Sequence, residues 1–423
     1  MAVTTVRPQT RAISMDRSRW MGVLFLAIGL AILLLFGRSL EPGVEAKFGL
    51  NPGYVSQAIH ISDLVLPVQP TVYVLALLTL LLGGWQLVRG FRSTDAVLGI
   101  VAVFFITAFL TWAARGKSFN LVGMLGSSLV RATPIALAAL CGVISERCAV
   151  VNIGIEGIML ASALAAVVGG TISGSLYVGL LVAMLTGALL AAVHAVLSIS
   201  FKVDQIVSGT AINIIGIGAT SFIAARFLEK NIDKLNNSGT FPIIPIPLLS
   251  KIPILGPIFF ENGFIVYLAL ILAVIIHIVL FHTPWGLRTR AVGEHPRAAD
   301  TLGINVYLVR YVNVILSGAV AGIGGAYFTI GSVGRFDEIM TAGKGFIGLA
   351  AMIFGKWNPF GAFASSLIFG FADSLQIKLQ ILRVPIPSEF LLMAPYIVTM
   401  VVLAGVVGRA IPPAADGLPY EKQ

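Results

Sequence analysis

About twelve runs of apolar residues, most near twenty long and almost free of charge, divide this sequence and leave it little choice of fold. They fall at 20–37, 71–88, 96–114, 121–144, 150–170, 176–200, 205–227, 263–281, 306–331, 345–354, 360–376 and 390–407. A helix needs about 20 residues to cross a bilayer core of about 30 Å. Backbone groups in lipid must be bonded internally, so such runs are helices and not open strands. The run at 345–354 is too short to span unless it is broken or re-entrant. Composition agrees: 57% of residues are hydrophobic and 11% charged, against about 25% charged in ordinary soluble domains. The expected fold is an all-α polytopic membrane protein.

Positive charge sets the expected orientation. Arg7, Arg11, Arg17 and Arg19 precede the first run and place the N-terminus in the cytoplasm. Alternation then puts Arg89, Arg147, Lys202 and Arg288 inside, and an even count returns the C-terminus there. The same arginines before a long run resemble a signal peptide, but no small-residue cleavage site follows, so the run at 20–37 is a retained span. The expected layout is an N-terminal extension over 1–120 with about three spans, a core over 121–410 and a cytoplasmic tail over 411–423. The extremes, 1–16 and 414–423, read as disordered. The outside segment 228–262, rich in proline, reads as a stiffened loop or short hairpin.

Several function classes drop out. The net charge of +9 is scattered over many loops and forms no basic stripe, which suits anionic lipid and topology and not nucleic acid. Cys141 and Cys148 form neither a disulfide framework nor a redox pair, and the five histidines lack metal-ligand spacing. Catalysis needs an acid, base or nucleophile held together, and none of Glu146, Glu156, Asp204 and Asp373 is spaced as a pair. The Gly-Lys-Ser at 116–118 has Thr111 where a phosphate-binding loop needs its first glycine. If ATP drives transport, another chain binds it.

One hydrophilic island, 288–304, interrupts the late apolar runs. Pro296 suits the first helical position and Gly303 a left-handed stop, leaving about two turns. Ala298, Ala299 and Leu302 are expected on one side, and so short a helix must dock on something. It is either a cap on this chain's own surface or a coupling helix for a separate motor protein. In the second case Ala299→Glu should leave folding intact and abolish coupling.

Polar residues inside apolar runs are expensive unless they face a cavity or a partner. Arg131 and Pro134 interrupt the fourth run, which is read as a surface segment to Val130 followed by a span starting near Thr133. Asn152 and Glu156 lie one turn apart and either line a solute path or, for Glu156, pair with Arg147. Ser208, Thr210 and Asn213 form a polar stripe in the seventh run. Gly318 and Gly322 form a close-packing face. Asp373 is expected to meet Lys378. Phe346 either stacks on a base or packs against neighbouring helices.

Four stretches together resemble the membrane permease of a bacterial ABC importer, in the nucleoside and simple-sugar branch related to ribose and branched-chain amino-acid permeases. They are Ser145-Glu-Arg-Cys-Ala-Val-Val-Asn-Ile-Gly-Ile-Glu-Gly157, Val203-Asp-Gln-Ile-Val-Ser-Gly-Thr-Ala-Ile-Asn213, Arg290-Ala-Val-Gly-Glu-His-Pro-Arg-Ala-Ala-Asp-Thr-Leu-Gly-Ile304 and Gly343-Lys-Gly-Phe-Ile-Gly-Leu-Ala-Ala-Met-Ile-Phe-Gly-Lys-Trp-Asn-Pro359. The resemblance covers roughly 121–408 and assigns the first 120 residues no role. It implies a second permease subunit, homologous or identical, two cytosolic ATPase subunits carrying ATP and magnesium, and an extracytoplasmic solute-binding protein. This chain would bind no cofactor itself. It also implies that Gly293, Glu294, Pro296, Ala298, Ala299, Leu302 and Gly303 contact the ATPase. The expected mechanism is alternating access along a path lined from the fifth, seventh and tenth runs by Asn152, Glu156, Ser208, Asn213 and Phe346. No fixed cationic cluster is visible along that path, which suits a neutral solute. The competing expectation is a secondary transporter or channel on an ion gradient, for which Glu156 is the one fair mid-membrane group.

Overall fold

The computed structural model describes residues 17–38, 40–51, 60–387, 389–390, 393 and 410–422. Among these, ten helices are long and apolar enough to cross a membrane, and one shorter apolar helix covers Lys344–Phe354. Eleven of the twelve apolar runs therefore meet a helix; the twelfth, 390–407, lies almost wholly outside the described residues. The chain divides into two compact units: 17–51 and 61–121 with Ile381–Val384, and 122–380 with the described residues beyond 384.

The first unit holds α1 (Arg17–Ala31), β1 (Glu45–Gly49), β2 (Leu64–Pro67), α2 (Val68–Val88), α3 (Thr94–Ala113) and β3 (Ser118–Asn120). Met21, Phe25, Val97 and Val101 form its small core. Gln86 ties the helices at one end: its Nε2 donates to Ser18 Oγ at 2.8 Å and its Oε1 accepts from Phe91 N at 3.1 Å. A three-stranded sheet in the order β2-β1-β3 joins the other ends. The apolar pattern gave no sign of this sheet, because its strands are only three to five residues long.

The second unit begins with α4 (Leu121–Glu146), α5 (Ile155–Ser173), α6 (Leu176–Ala195) and α7 (Gln205–Ile223). The loop 228–262 contains α8 (Ile232–Leu235), β4 (Ile243–Pro245), α9 (Leu255–Phe259) and β5 (Glu261–Gly263), with β4 and β5 antiparallel as a short hairpin. Then come α10 (Phe264–His282), α11 (Pro284–Glu294), α12 (Pro296–Thr301), α13 (Val306–Phe328), α14 (Lys344–Phe354) and α15 (Pro359–Ile381). The spans built on α4, α5 and α13 are the most enclosed. The outer side of α6 presents Leu181, Leu185 and Leu189 at i, i+4 spacing, as a lipid-facing helix should. Gly318 and Gly322 let α13 press on α6, since a Cβ at either would lie 2.3 or 2.4 Å from a backbone oxygen of Gly187 or Ala183.

Three expectations are corrected. Helix α4 runs unbroken through Arg131 and Pro134, so no separate surface segment ends at Val130. Asp373 meets Lys344 and Arg131 in place of Lys378. Residues 410–422 pack against the island and have a defined course, whereas composition alone suggests disorder for 414–423.

Candidate functional site

Between α4 and α5 the chain climbs without helical bonds from Val150 to Gly154. Non-helical backbone at membrane depth survives only where protein satisfies it. Ser145 and Asn152 bond Val150 O and Gly154 N, and three side chains from α6 and α7 do the rest. Gln205 Oε1 accepts from Val151 N at 2.6 Å. His194 Nε2 meets Val151 O at 2.9 Å, and because a carbonyl only accepts, that ring nitrogen donates. Asn213 Nδ2 donates to Ile153 O at 2.9 Å, and its Oδ1 accepts from Gly157 N at 2.8 Å. Gly157 is required here: a Cβ would stand 2.6 Å from Ile212 O and 2.7 Å from Asn213 Cα.

One residue earlier, Glu156 meets the start of α14. Its Oε1 accepts from Thr341 Oγ1 at 2.6 Å and Gly343 N at 2.8 Å, and its Oε2 accepts from Gly345 N at 2.7 Å. A buried carboxylate thus sits on the first backbone N–H groups of an eleven-residue helix, the end where the dipole favours an anion. The far end of α14 lies by the end of α4, with Trp357 Nε1 donating to Glu146 Oε2 at 2.5 Å. At 1.5 Å per residue α14 is about 16 Å long, so it crosses only about half a bilayer core. It is a half-helix, which is the broken alternative for the run at 345–354.

The fifth, seventh and tenth runs therefore do meet. Of the residues expected to line a path there, Asn152, Glu156, Ser208 and Asn213 are buried. Ser208 Oγ bonds His194 Nδ1 at 3.0 Å, and Asn152 Oδ1 accepts from Gly154 N at 3.0 Å. These four bond backbone groups or other side chains (His194 and Thr341) instead of facing an open route; only Phe346, 47% exposed, faces outward. Glu156 does not pair with Arg147, whose Nε donates to Trp357 O at 2.8 Å.

Beside this junction lies a cluster the sequence did not reveal. Lys344 Nζ and Arg131 Nη1 approach the same Asp373 oxygen at 3.2 and 3.4 Å. A fixed pair of cations thus stands where none had been read.

At the island, the expected short helix is present, with Pro296 at its first turn and Gly303 at φ +81°. It is preceded by a helix that sequence reasoning missed, α11, whose signal was the Thr283-Pro284 start: Thr283 Oγ1 accepts from Gly286 N at 3.3 Å. The expected single face is corrected. Ala298, Leu302 and Gly303 are exposed, Leu302 at 82%, whereas Ala299 is 3% exposed and packs with Val292 and Val306. Gly293 is buried against Arg147, and Glu294 points outward.

The tail straps the island down. Ala415 N donates to Gly293 O at 3.0 Å and Ala414 N to Glu294 Oε2 at 3.1 Å. Further along, Arg310 Nη1 donates to Leu418 O at 3.1 Å, Tyr420 packs edge-on against Tyr307, and Glu421 pairs with Lys202 at 2.5 Å. Arg310 is fully enclosed, yet its Nε and Nη2 have no partner among the described residues. Burial pushes the Asp416 carboxyl up to about 6, opposed in part by a hydrogen bond with Glu146. The Lys202 ammonium holds Glu421 below the usual carboxylate range.

The described residues thus form a polytopic helical bundle in which a half-helix starts on a buried carboxylate and a polar island carries an exposed apolar tip. The chain belongs to the family described as branched-chain amino acid transport system / permease component, which matches residues 124–407. It is 46% identical over 306 residues to the guanosine ABC transporter permease protein NupQ of Bacillus subtilis, covering 70% of this chain and 95% of that one. It is 42% identical over 310 residues to the nucleoside ABC transporter permease protein NupC of Lactococcus lactis, covering 71% and 96%. It is 34% identical over 258 residues to the putative glucose ABC transporter permease protein TsgC13 of Haloferax volcanii, covering 61% and 78%. No solved structure matches the chain. As a permease it is a transport component and not an enzyme.

Proposed function

We propose that this chain is the transmembrane subunit of an ATP-driven importer, moving a nucleoside into the cell by alternating access. The names of its relatives support the solute class, with a simple sugar as the second reading because one relative is named for glucose. The observation that carries the coupling is Leu302: a leucine left 82% exposed at the end of a polar, two-turn helix. A single exposed leucine is ordinary, but Ala298, Leu302 and Gly303 are exposed together at a helix too short to be stable alone, which supports reading that face as a docking point. A cytosolic ATPase subunit, carrying ATP and magnesium, would seat on Ala298, Leu302 and Gly303. Gly293 and Ala299 would hold that helix from beneath, with Glu294 fastening the tail and Pro296 starting the turn.

On this reading the island end of the bundle and both termini face the cytoplasm. A second permease subunit, homologous or identical, and an extracytoplasmic solute-binding protein complete the assembly in the cytoplasmic membrane. Closure of the ATPases pushes α12, and the tail carries the push to the heads of α13 and α7. Helix α14 and the Gly154–Gly157 turn, joined through Glu156, are the broken elements that can shift against their neighbours.

A secondary transporter would need a mid-membrane group free to take up an ion, and Glu156 is already held by three donors. Uptake of radiolabelled guanosine into proteoliposomes tests the choice. Uptake that requires the ATPase subunits and internal ATP is expected; uptake by this chain alone on an ion gradient would overturn it.

A further inference from the structure

The Arg131–Asp373–Lys344 cluster is not part of the coupling just proposed, and its position is unusual. Along α4, fifteen residues separate Arg131 from Glu146, about 22 Å of helix; along α15, fourteen separate Asp373 from Pro359, about 21 Å. Glu146 and Pro359 lie at the same end, where Trp357 bonds Glu146. Two independent helices therefore place the cluster in the half of a roughly 30 Å core away from the island. Another ten residues of α4, about 15 Å, continue beyond Arg131.

At such depth an ionised side chain that faced lipid would cost about 2.5–3.5 kcal/mol, so charges face protein or a water-filled recess. Among the described residues nothing encloses these three fully. The side chains of Arg131, Asp373 and Lys344 are 38%, 16% and 19% exposed. Both cations also crowd one oxygen, Asp373 Oδ2. Among the described residues each gives that carboxylate a single N–H, and an arginine has five and a lysine three. Lys344 is moreover the first residue of α14, flanked by the Gly343 and Gly345 amides that hold Glu156. The cluster is thus joined directly to the broken junction.

We infer that Arg131, Lys344 and Asp373 border a water-filled recess on the solute's route, where the spare N–H groups of the two cations receive the oxygen and ring-nitrogen acceptors of an uncharged solute. The inference rests on the importer reading for the solute's identity but not for the recess itself.

The test uses the full transporter complex in proteoliposomes. Cys141 and Cys148 are both buried, so background thiol labelling of this chain is low. Ser127→Cys places a thiol one helical turn from Arg131, on the same side of α4, and leaves the cluster intact. A membrane-impermeant methanethiosulfonate should modify it from the side away from the ATPase, and saturating guanosine should slow that modification about tenfold. Lys344→Met should raise KM for guanosine about tenfold with kcat changed less than twofold. A thiol that resists the reagent, or labelling indifferent to guanosine together with an unchanged KM, would overturn the recess. Ser127→Cys complex that labels normally, beside wild-type complex that takes up no guanosine, would instead sink the importer reading and leave the recess standing.

Discussion

Two regions of this bundle hold groups that do not belong in their surroundings, and they treat them in opposite ways. At the junction of α5 and α14 a carboxylate sits at hydrocarbon depth, yet Thr341, Gly343 and Gly345 supply it with three donors. At the island a leucine sits 82% exposed on a polar helix, with nothing of the described chain over it. The first misfit is resolved within the chain, so it is architecture. The second is left open, and on the proposed coupling it is where another molecule would seat. A polar group in the membrane is a sign of function only after its partners have been counted.

The sharpest way to break the first half of that comparison is Glu156→Ala. It leaves two buried donors and one half-buried donor unpaired, each buried one worth about 1–3 kcal/mol, and removes an anion from a helix N-terminus. The variant should lose most of its stability, read as a large fall in the thermal midpoint in detergent; a small fall would mean that water reaches the junction. Gly157→Ala comes next. A Cβ 2.6 Å from Ile212 O must push α5 from α7, costing about 1–3 kcal/mol as overpacking, with the same readout.

The tail lies between the two regions. Removing residues 411–423 takes away the partners of Gly293 O, Glu294 and Arg310, so the island should lose its fixed position while the spans insert normally. Solute-stimulated ATPase activity should fall several-fold, with membrane levels unchanged. Smallest is an effect of pH on tail docking, because two shifts oppose each other. Asp416, raised to about 6 by burial, binds its proton more tightly when docked, so docking strengthens as pH falls through 6 and is weakest above it. Glu421, lowered by Lys202, contributes docking that is present above the ordinary glutamate range and lost as pH falls from there through its lowered value. Docking should therefore peak between the two, a maximum measurable as hydrogen-exchange protection of 414–421 after correction for intrinsic rates.

What the sequence disclosed follows the reach of its interactions. The apolar runs are visible because burial repeats over twenty residues, and Pro296 and Gly303 because a helix end is a local event. The partners of Glu156 lie 185 to 189 residues away in the chain, and Arg131 finds Asp373 across 242; no spacing rule connects them. Ala298 and Ala299 are the same residue type in a helix of six, so its pattern does not show which one faces inward. The tail was missed because it is fastened largely through backbone groups, Ala414 N, Ala415 N and Leu418 O, which leave no trace in residue identity. Recognition of the four motif stretches supplied what periodicity lacked, but it attached the contact role to Gly293 and Ala299 as readily as to Leu302.

Because Ala299 is buried, a charge placed there would damage packing and would say nothing of docking. Leu302→Asp is the informative change. With its side chain in solvent the substitution should shift stability by no more than about 0.5 kcal/mol. If the island is the point at which an external motor acts, the reconstituted Leu302→Asp complex should keep its thermal midpoint and lose solute-stimulated ATP hydrolysis at least tenfold. Stimulation at the wild-type level in that variant would contradict the account.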